Sequence, residues 1–107
     1  MIKDLEKDIQ LSVCQYLTLK KHFFWRANNI PVFDKKAGFY RPMPKYAMQG
    51  VPDIIIIGDG GFVVFLEIKS SVGKLSKSQK EFQRRCKEVG AEYYVIKTVD
   101  QLIDLGL

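Results

Sequence analysis

From Leu5 to about Lys20 the apolar positions Leu5, Ile9, Val13, Tyr16 and Leu17 recur at three- and four-residue spacing, which predicts an amphipathic helix. Phe23 to Asn28 is a short aromatic-rich stretch suited to a strand, and a polar, Pro-containing connection runs from Asn29 to Gly50. Structureless loops beyond roughly 12–15 residues are uncommon in compact domains and are usually functional or disordered. Ile54 to Ile57 and Phe62 to Ile68 are apolar runs separated by Gly58, Asp59, Gly60 and Gly61, predicting a β-hairpin buried on both faces at the centre of a sheet. Leu75, Gln79, Phe82, Cys86 and Val89 form a helical stripe ending at Gly90, Tyr93 to Ile96 is a further strand, and Thr98 to Leu105 a short closing helix. The order α-β-β-β-α-β-α implies an α/β fold with a mixed four-stranded central sheet flanked by helices. In it a three-strand meander is followed by a right-handed helical crossover to a parallel last strand.

The chain has 107 residues, so the expectation is a single domain over 1–107 with one core. Its 17 Lys and Arg against 12 Asp and Glu leave a net charge of +5, which favours polyanionic partners. Cys14 and Cys86 are far apart and fall in helical apolar patterns, so they read as small buried hydrophobes in a reducing, cytoplasmic setting. No apolar run approaches a membrane span, and the charged start from Met1 to Gln10 is unlike a signal peptide.

Charges interrupt the central strands where apolar residues are expected. Pro52-Asp53 opens the first, and Glu67-Ile68-Lys69 closes the second. A three-residue loop, Asp59 to Gly61, with a glycine in the left-handed region would set Asp53 opposite Glu67, Ile55 opposite Phe65 and Ile57 opposite Val63. A one-residue slip would send the carboxylates to opposite faces. Lys69 alternates onto the face of Glu67, so two carboxylates and an ammonium converge at one sheet end. Two adjacent buried carboxylates require a proton or a cation, and Mg²⁺ is typically held by one or two carboxylates plus water and phosphate oxygens.

Gly50-Val51-Pro52-Asp53, Glu67-Ile68-Lys69 and Gly73-Lys74-Leu75-Ser76 with Gln79 together resemble the PD-(D/E)xK nuclease superfamily and, within it, the VRR-NUC (virus-type replication-repair nuclease) family. Glu6 and Gln10, and less specifically Trp25, Arg26 and Asn28, extend the resemblance over nearly the whole chain. It implies a restriction-endonuclease-like core and a metal-dependent endodeoxyribonuclease. In that reading Asp53, Glu67 and the Ile68 carbonyl bind Mg²⁺ or Mn²⁺, and Lys69 assists the attacking water. Gln79 supports the site, and Glu6 adds a carboxylate, directly or through water. The implied partner is branched DNA, cut by a homodimer in the manner of a Holliday-junction resolvase. The rivals are a flap or duplex-specific nuclease and a non-catalytic DNA-binding or dimerisation module. Neither an organic cofactor nor a membrane partner is implied.

Plainer explanations stand beside these roles. Asp53 also suits a turn after proline, and Glu67 with Lys69 a strand-end ion pair. Ser76-x-x-Gln79 is a capping-box pattern, and a glutamate near a helix start, as Glu6 is, suits the helix dipole. Gly73 suits a left-handed turn, and Lys74 a solvated charge or a phosphate contact. His22 reads as non-catalytic. Between Asn29 and Gly50, the cations Lys35, Lys36, Arg41 and Lys45 alternate with Phe33, Phe39, Tyr40 and Tyr46, the components of a surface for phosphates and unpaired bases. The alternative there is a loop whose aromatics fold back on the core. Arg26 and Lys74 complete the candidate DNA-binding set.

Overall fold

The computed structural model describes residues 2–27, 33–40 and 45–107, without the side chains of residues 2–4 and 33. Its elements are α1 (Ile2–Leu19), β1 (Phe23–Arg26), β2 (Phe33–Asp34), β3 (Phe39–Tyr40), β4 (Ile54–Ile57), a 3₁₀ turn at Asp59–Gly61, β5 (Val63–Ile68), α2 (Lys77–Val89), β6 (Glu92–Ile96) and α3 (Val99–Asp104). The main sheet has four strands in the order β1-β4-β5-β6. The first two pairings are antiparallel and β5–β6 is parallel. The meander and parallel crossover expected from the element order are therefore present.

Alternation along the strands divides the sheet into two unequal faces. Ile54, Ile56, Val64, Leu66, Ile68 and Ile96 are buried together with Val13 and Leu17 of α1 and Leu102 of α3. Removing such side chains from water is the main source of stability in a core of this kind. The other face is covered by α2 through Phe82, whose ring meets Phe65 edge-on at 5.1 Å and Tyr93 at 6.2 Å. This cover is confined to the β5–β6 side. Ile55 and Ile57 stay half-buried, and Phe23 and Trp25 on edge strand β1 are exposed. The hairpin expected to be buried on both faces is thus fully buried on one only.

Other boundaries shift for local reasons. The second amphipathic helix starts at Lys77, not Leu75, because Ser76 is its N-cap and accepts from the Gln79 amide. Leu5, at the start of the first apolar stripe, remains exposed, and Cys14 is half-buried where Cys86 is buried. The connection expected to lack structure contains the β2–β3 hairpin, pairing Phe33 with Tyr40 and Asp34 with Phe39. Asp34 nucleates its turn, with Oδ1 accepting from the Lys36 and Ala37 amides at 3.0 and 3.2 Å.

Gly50 links the entry of β4 to α2. Its φ of +78° lies in the left-handed region, and a methyl group there would stand 2.9 Å from the Gln79 amide nitrogen and overlap the Ser78 carbonyl. The chain leading to Pro52 and Asp53 is therefore packed directly on the first turn of α2. Gly50→Ala should cost about 1–3 kcal/mol in urea unfolding. The same change at Gly90, where φ is +81° but the space is open, should cost less; equal costs would show that the close approach at Gly50 contributes nothing.

Candidate active site

The β4–β5 register determines the site. Ile54 pairs with Leu66, Ile55 with Phe65 and Ile57 with Val63, so the next step toward the sheet end sets Asp53 against Glu67. Asp53 is bonded into the sheet beyond the end of β4. Its carbonyl accepts from the Ala27 amide at 2.8 Å, and its Oδ2 accepts from the Ile68 amide at 2.7 Å. Pro52, which precedes it, is fully buried. Lys69 follows β5 and remains tied to β6, its amide donating to the Ile96 carbonyl at 3.0 Å.

Glu67 is only 2% exposed. Its carboxyl is in hydrogen-bonding contact with that of Asp53, whereas its Oε1 is buried without a partner. Burial, reinforced by the Asp53 carboxyl, pushes Glu67 up to about 9; Lys69 opposes the shift and Glu6 adds slightly to it. Burial beside a second carboxyl thus favours the protonated form of Glu67. Four of the expected residues, Asp53, Glu67, Lys69 and Glu6, thus act on one point at the sheet end. Glu6 does so by its charge from α1.

Gln79 is engaged differently. Its Oε1 accepts from the Ser76 amide at 2.8 Å, completing the capping box, so its side-chain oxygen belongs to the start of α2. Gly73 does not have a left-handed backbone; it is small because it lies against the side chain of Lys69, where a methyl group would come within 3.3 Å of Cβ and Cδ. The tight turn from Ser70 to Gly73 therefore shapes the position of the Lys69 stem.

The candidate DNA-binding residues are more dispersed. Lys35 and Lys36 are exposed in the β2–β3 turn, Tyr40 is exposed on β3, and Lys74 is exposed before α2. The Lys45 ammonium lies 5.2 Å from the ring centre of Tyr46, which is itself exposed. Phe39, Tyr40 and Tyr46 do not fold back on the core. Arg26 pairs with Ile54 and alternates onto the α1 side of the sheet, where its charge acts on Cys14. Arg41 lies outside the described residues.

Sequence reasoning missed Tyr93. Its hydroxyl is buried without a partner, and burial together with the charges of Glu67, Cys86 and Asp53 holds it protonated well above the usual tyrosine range. The signal lay in the parallel β5–β6 register, which pairs Tyr93 with Phe65 and so aligns it with the face of Glu67.

The donor set fits a hard divalent cation: two oxygen-bearing side chains in contact, one oxygen still unpartnered, and no thiolate or imidazole between them. Among the described residues, no group of three or more His, Cys, Asp or Glu side chains is gathered closely enough to enclose a metal ion, so water and substrate oxygens would have to complete the shell. No described helix is long and apolar enough to cross a membrane.

A solved structure titled "VRR_NUC domain" superposes on this chain with a TM-score of 0.66 at 19% sequence identity, covering 94% of this chain and 92% of that one. The chain has the fold of that domain, the same one named by the motif resemblance. No protein-family model matches the chain, and no curated protein matches it in sequence.

The raised Glu67 value has a consequence for stability. The unfolded chain ionises Glu67 near its ordinary value, while the folded chain retains the proton to about pH 9. The group's stabilising contribution is complete below the unfolded value and is lost as pH rises through the folded one. Metal-free protein should therefore lose stability between about pH 5 and 9, and Glu67→Gln should flatten that slope. An unchanged slope in urea titrations would remove Glu67 as its source.

Proposed function

We propose that this chain is a single nuclease domain of the VRR-NUC type, a Mg²⁺- or Mn²⁺-dependent endonuclease that hydrolyses phosphodiester bonds in branched DNA. The observation that carries the reading is the contact between Asp53 and Glu67 at the sheet end, with Lys69 beside them. A structural ion pair explains it poorly, since two carboxyls in a buried contact are unfavourable unless a proton or a cation joins them.

Asp53, Glu67 and the Ile68 carbonyl would hold the cation, with Glu6 reaching it directly or through water. Bound there, the cation would acidify a water and neutralise charge on the phosphodiester. Asp53 is preoriented, because one of its oxygens is already committed to the Ile68 amide and the other is left to face the site. Glu67 would bind the cation as a carboxylate. Lys69, its stem braced against Gly73, directs its ammonium toward the attacking water or a phosphate oxygen. Gln79 acts through the α2 cap, holding the turn on which Gly50 and the approach to Asp53 rest. Lys35, Lys36, Arg41, Lys45, Tyr40, Lys74 and Arg26 form the DNA-binding set, and what supports it is the exposure of the cations and rings among the described residues. Paired incision of a four-way junction requires two active sites, which a two-fold homodimer supplies.

Labelled four-way junction, 5′ flap, single-stranded and linear duplex DNA should be tested with Mg²⁺, Mn²⁺ and EDTA. A branched substrate should be cut with either metal and not in EDTA. Asp53→Ala, Glu67→Ala and Lys69→Ala should each abolish cutting while binding stays within a few-fold; salt-sensitive binding with no cutting in either metal would refute the enzyme. Preference for the flap over the junction would refute the resolvase-like reading.

Neutralising Lys35, Lys36, Arg41 and Lys45 together should weaken binding and reduce the slope of log affinity against log salt by up to about 0.9 for each phosphate that is no longer neutralised. An unchanged slope would take this segment out of the interface.

A further inference from the structure

Oε1 of Glu67 and the hydroxyl of Tyr93 are both buried, and neither has a hydrogen-bond partner among the described residues. They belong to neighbouring parallel strands. Glu67 pairs with Val95 and Phe65 with Tyr93, so Tyr93 is the diagonal neighbour of Glu67 on the same sheet face. Diagonal neighbours in a sheet are about 7–8 Å apart, within reach of a tyrosine and a glutamate side chain. Phe82 packs on the Tyr93 ring and on Phe65, covering part of this face.

Buried polar groups in native proteins find partners, and here an acceptor and a donor of complementary type share one enclosed corner. We propose that Tyr93 is a positioning residue for Glu67, its hydroxyl donating to Oε1 across one bound water, so that the other carboxyl oxygen is held toward Asp53 and the sheet end. Its effect on metal binding rests on the reading of Glu67 as a ligand; the contact itself does not. An ordinary strand aromatic would fill the same volume without the hydroxyl, as Phe65 does on the adjacent strand.

Tyr93→Phe removes one oxygen and retains the ring. Melting midpoints of the wild type, Tyr93→Phe, Glu67→Met and the double variant form a cycle that requires neither metal nor DNA. Tyr93→Phe should lower the midpoint by roughly 4–8 °C when Glu67 is present and leave it unchanged in the Glu67→Met background. Glu67→Gln, which retains an acceptor, should restore the loss. Equal shifts in all backgrounds, or a rise in midpoint, would overturn the contact.

The functional readout is Mn²⁺ affinity by electron paramagnetic resonance at pH 7 without DNA. Tyr93→Phe should weaken it by about tenfold, with KM for DNA unchanged. Wild-type affinity in Tyr93→Phe would overturn the positioning role even if the melting cycle shows coupling. If the wild type binds no Mn²⁺, the metal reading of the site falls and the positioning role with it, while the cycle still decides the contact.

Discussion

Everything at the sheet end depends on the meeting of two carboxyls that would repel each other if both were charged. Asp53 and Glu67 are brought together by the β4–β5 register, and that register is held by the apolar pairs Ile54–Leu66, Ile55–Phe65, Ile56–Val64 and Ile57–Val63. Sliding either strand by one residue would expose the buried isoleucines and reverse the carboxylates at once. The packing of the core therefore enforces an electrostatically unfavourable contact, and the raised Glu67 carboxyl is its consequence. The helices contribute from outside the sheet. α1 brings the charge of Glu6, and the first turn of α2 supports Gly50 and the approach to Asp53.

Much of this was legible because it is encoded over short distances. The interruption of Ile54–Ile57 and Val63–Ile68 by Asp59–Gly61 specifies a hairpin and its register within a dozen or so residues, so Asp53 opposite Glu67 is legible in the sequence. The capping box at Ser76 and Gln79 was equally local, although its presence did not decide what else Gln79 does. Three features were hidden for three different reasons. The β2–β3 hairpin has strands of two residues each, too short for any periodicity to appear. The Gly50 contact joins a loop to a helix remote in sequence, and a glycine does not announce which backbone approaches it. Tyr93 looks like any β-strand aromatic until the parallel register is known.

The two faces of the sheet divide the work unequally. The α1–α3 face holds the contiguous aliphatic core, whereas the α2 face is aromatic, half-covered and carries the carboxyls at its end. The aliphatic core and the buried carboxyls thus lie on opposite sides of the same strands. A substitution can alter one with limited effect on the other, except at Glu67, which is as deeply buried as the aliphatic residues while being ionisable.

The bond from the Ile68 amide to Asp53 Oδ2 extends this segregation to single atoms. One side-chain oxygen of Asp53 serves the backbone, accepting from an amide of the adjacent strand, and only the other is available for chemistry. An asparagine has the same shape and keeps a carbonyl oxygen for the Ile68 amide, yet it turns an amino group toward Glu67 where a carboxyl oxygen stood. An Asp53→Asn exchange would therefore keep the strand-to-strand bond and the shape of the sheet end while changing only the atom left over beside Glu67.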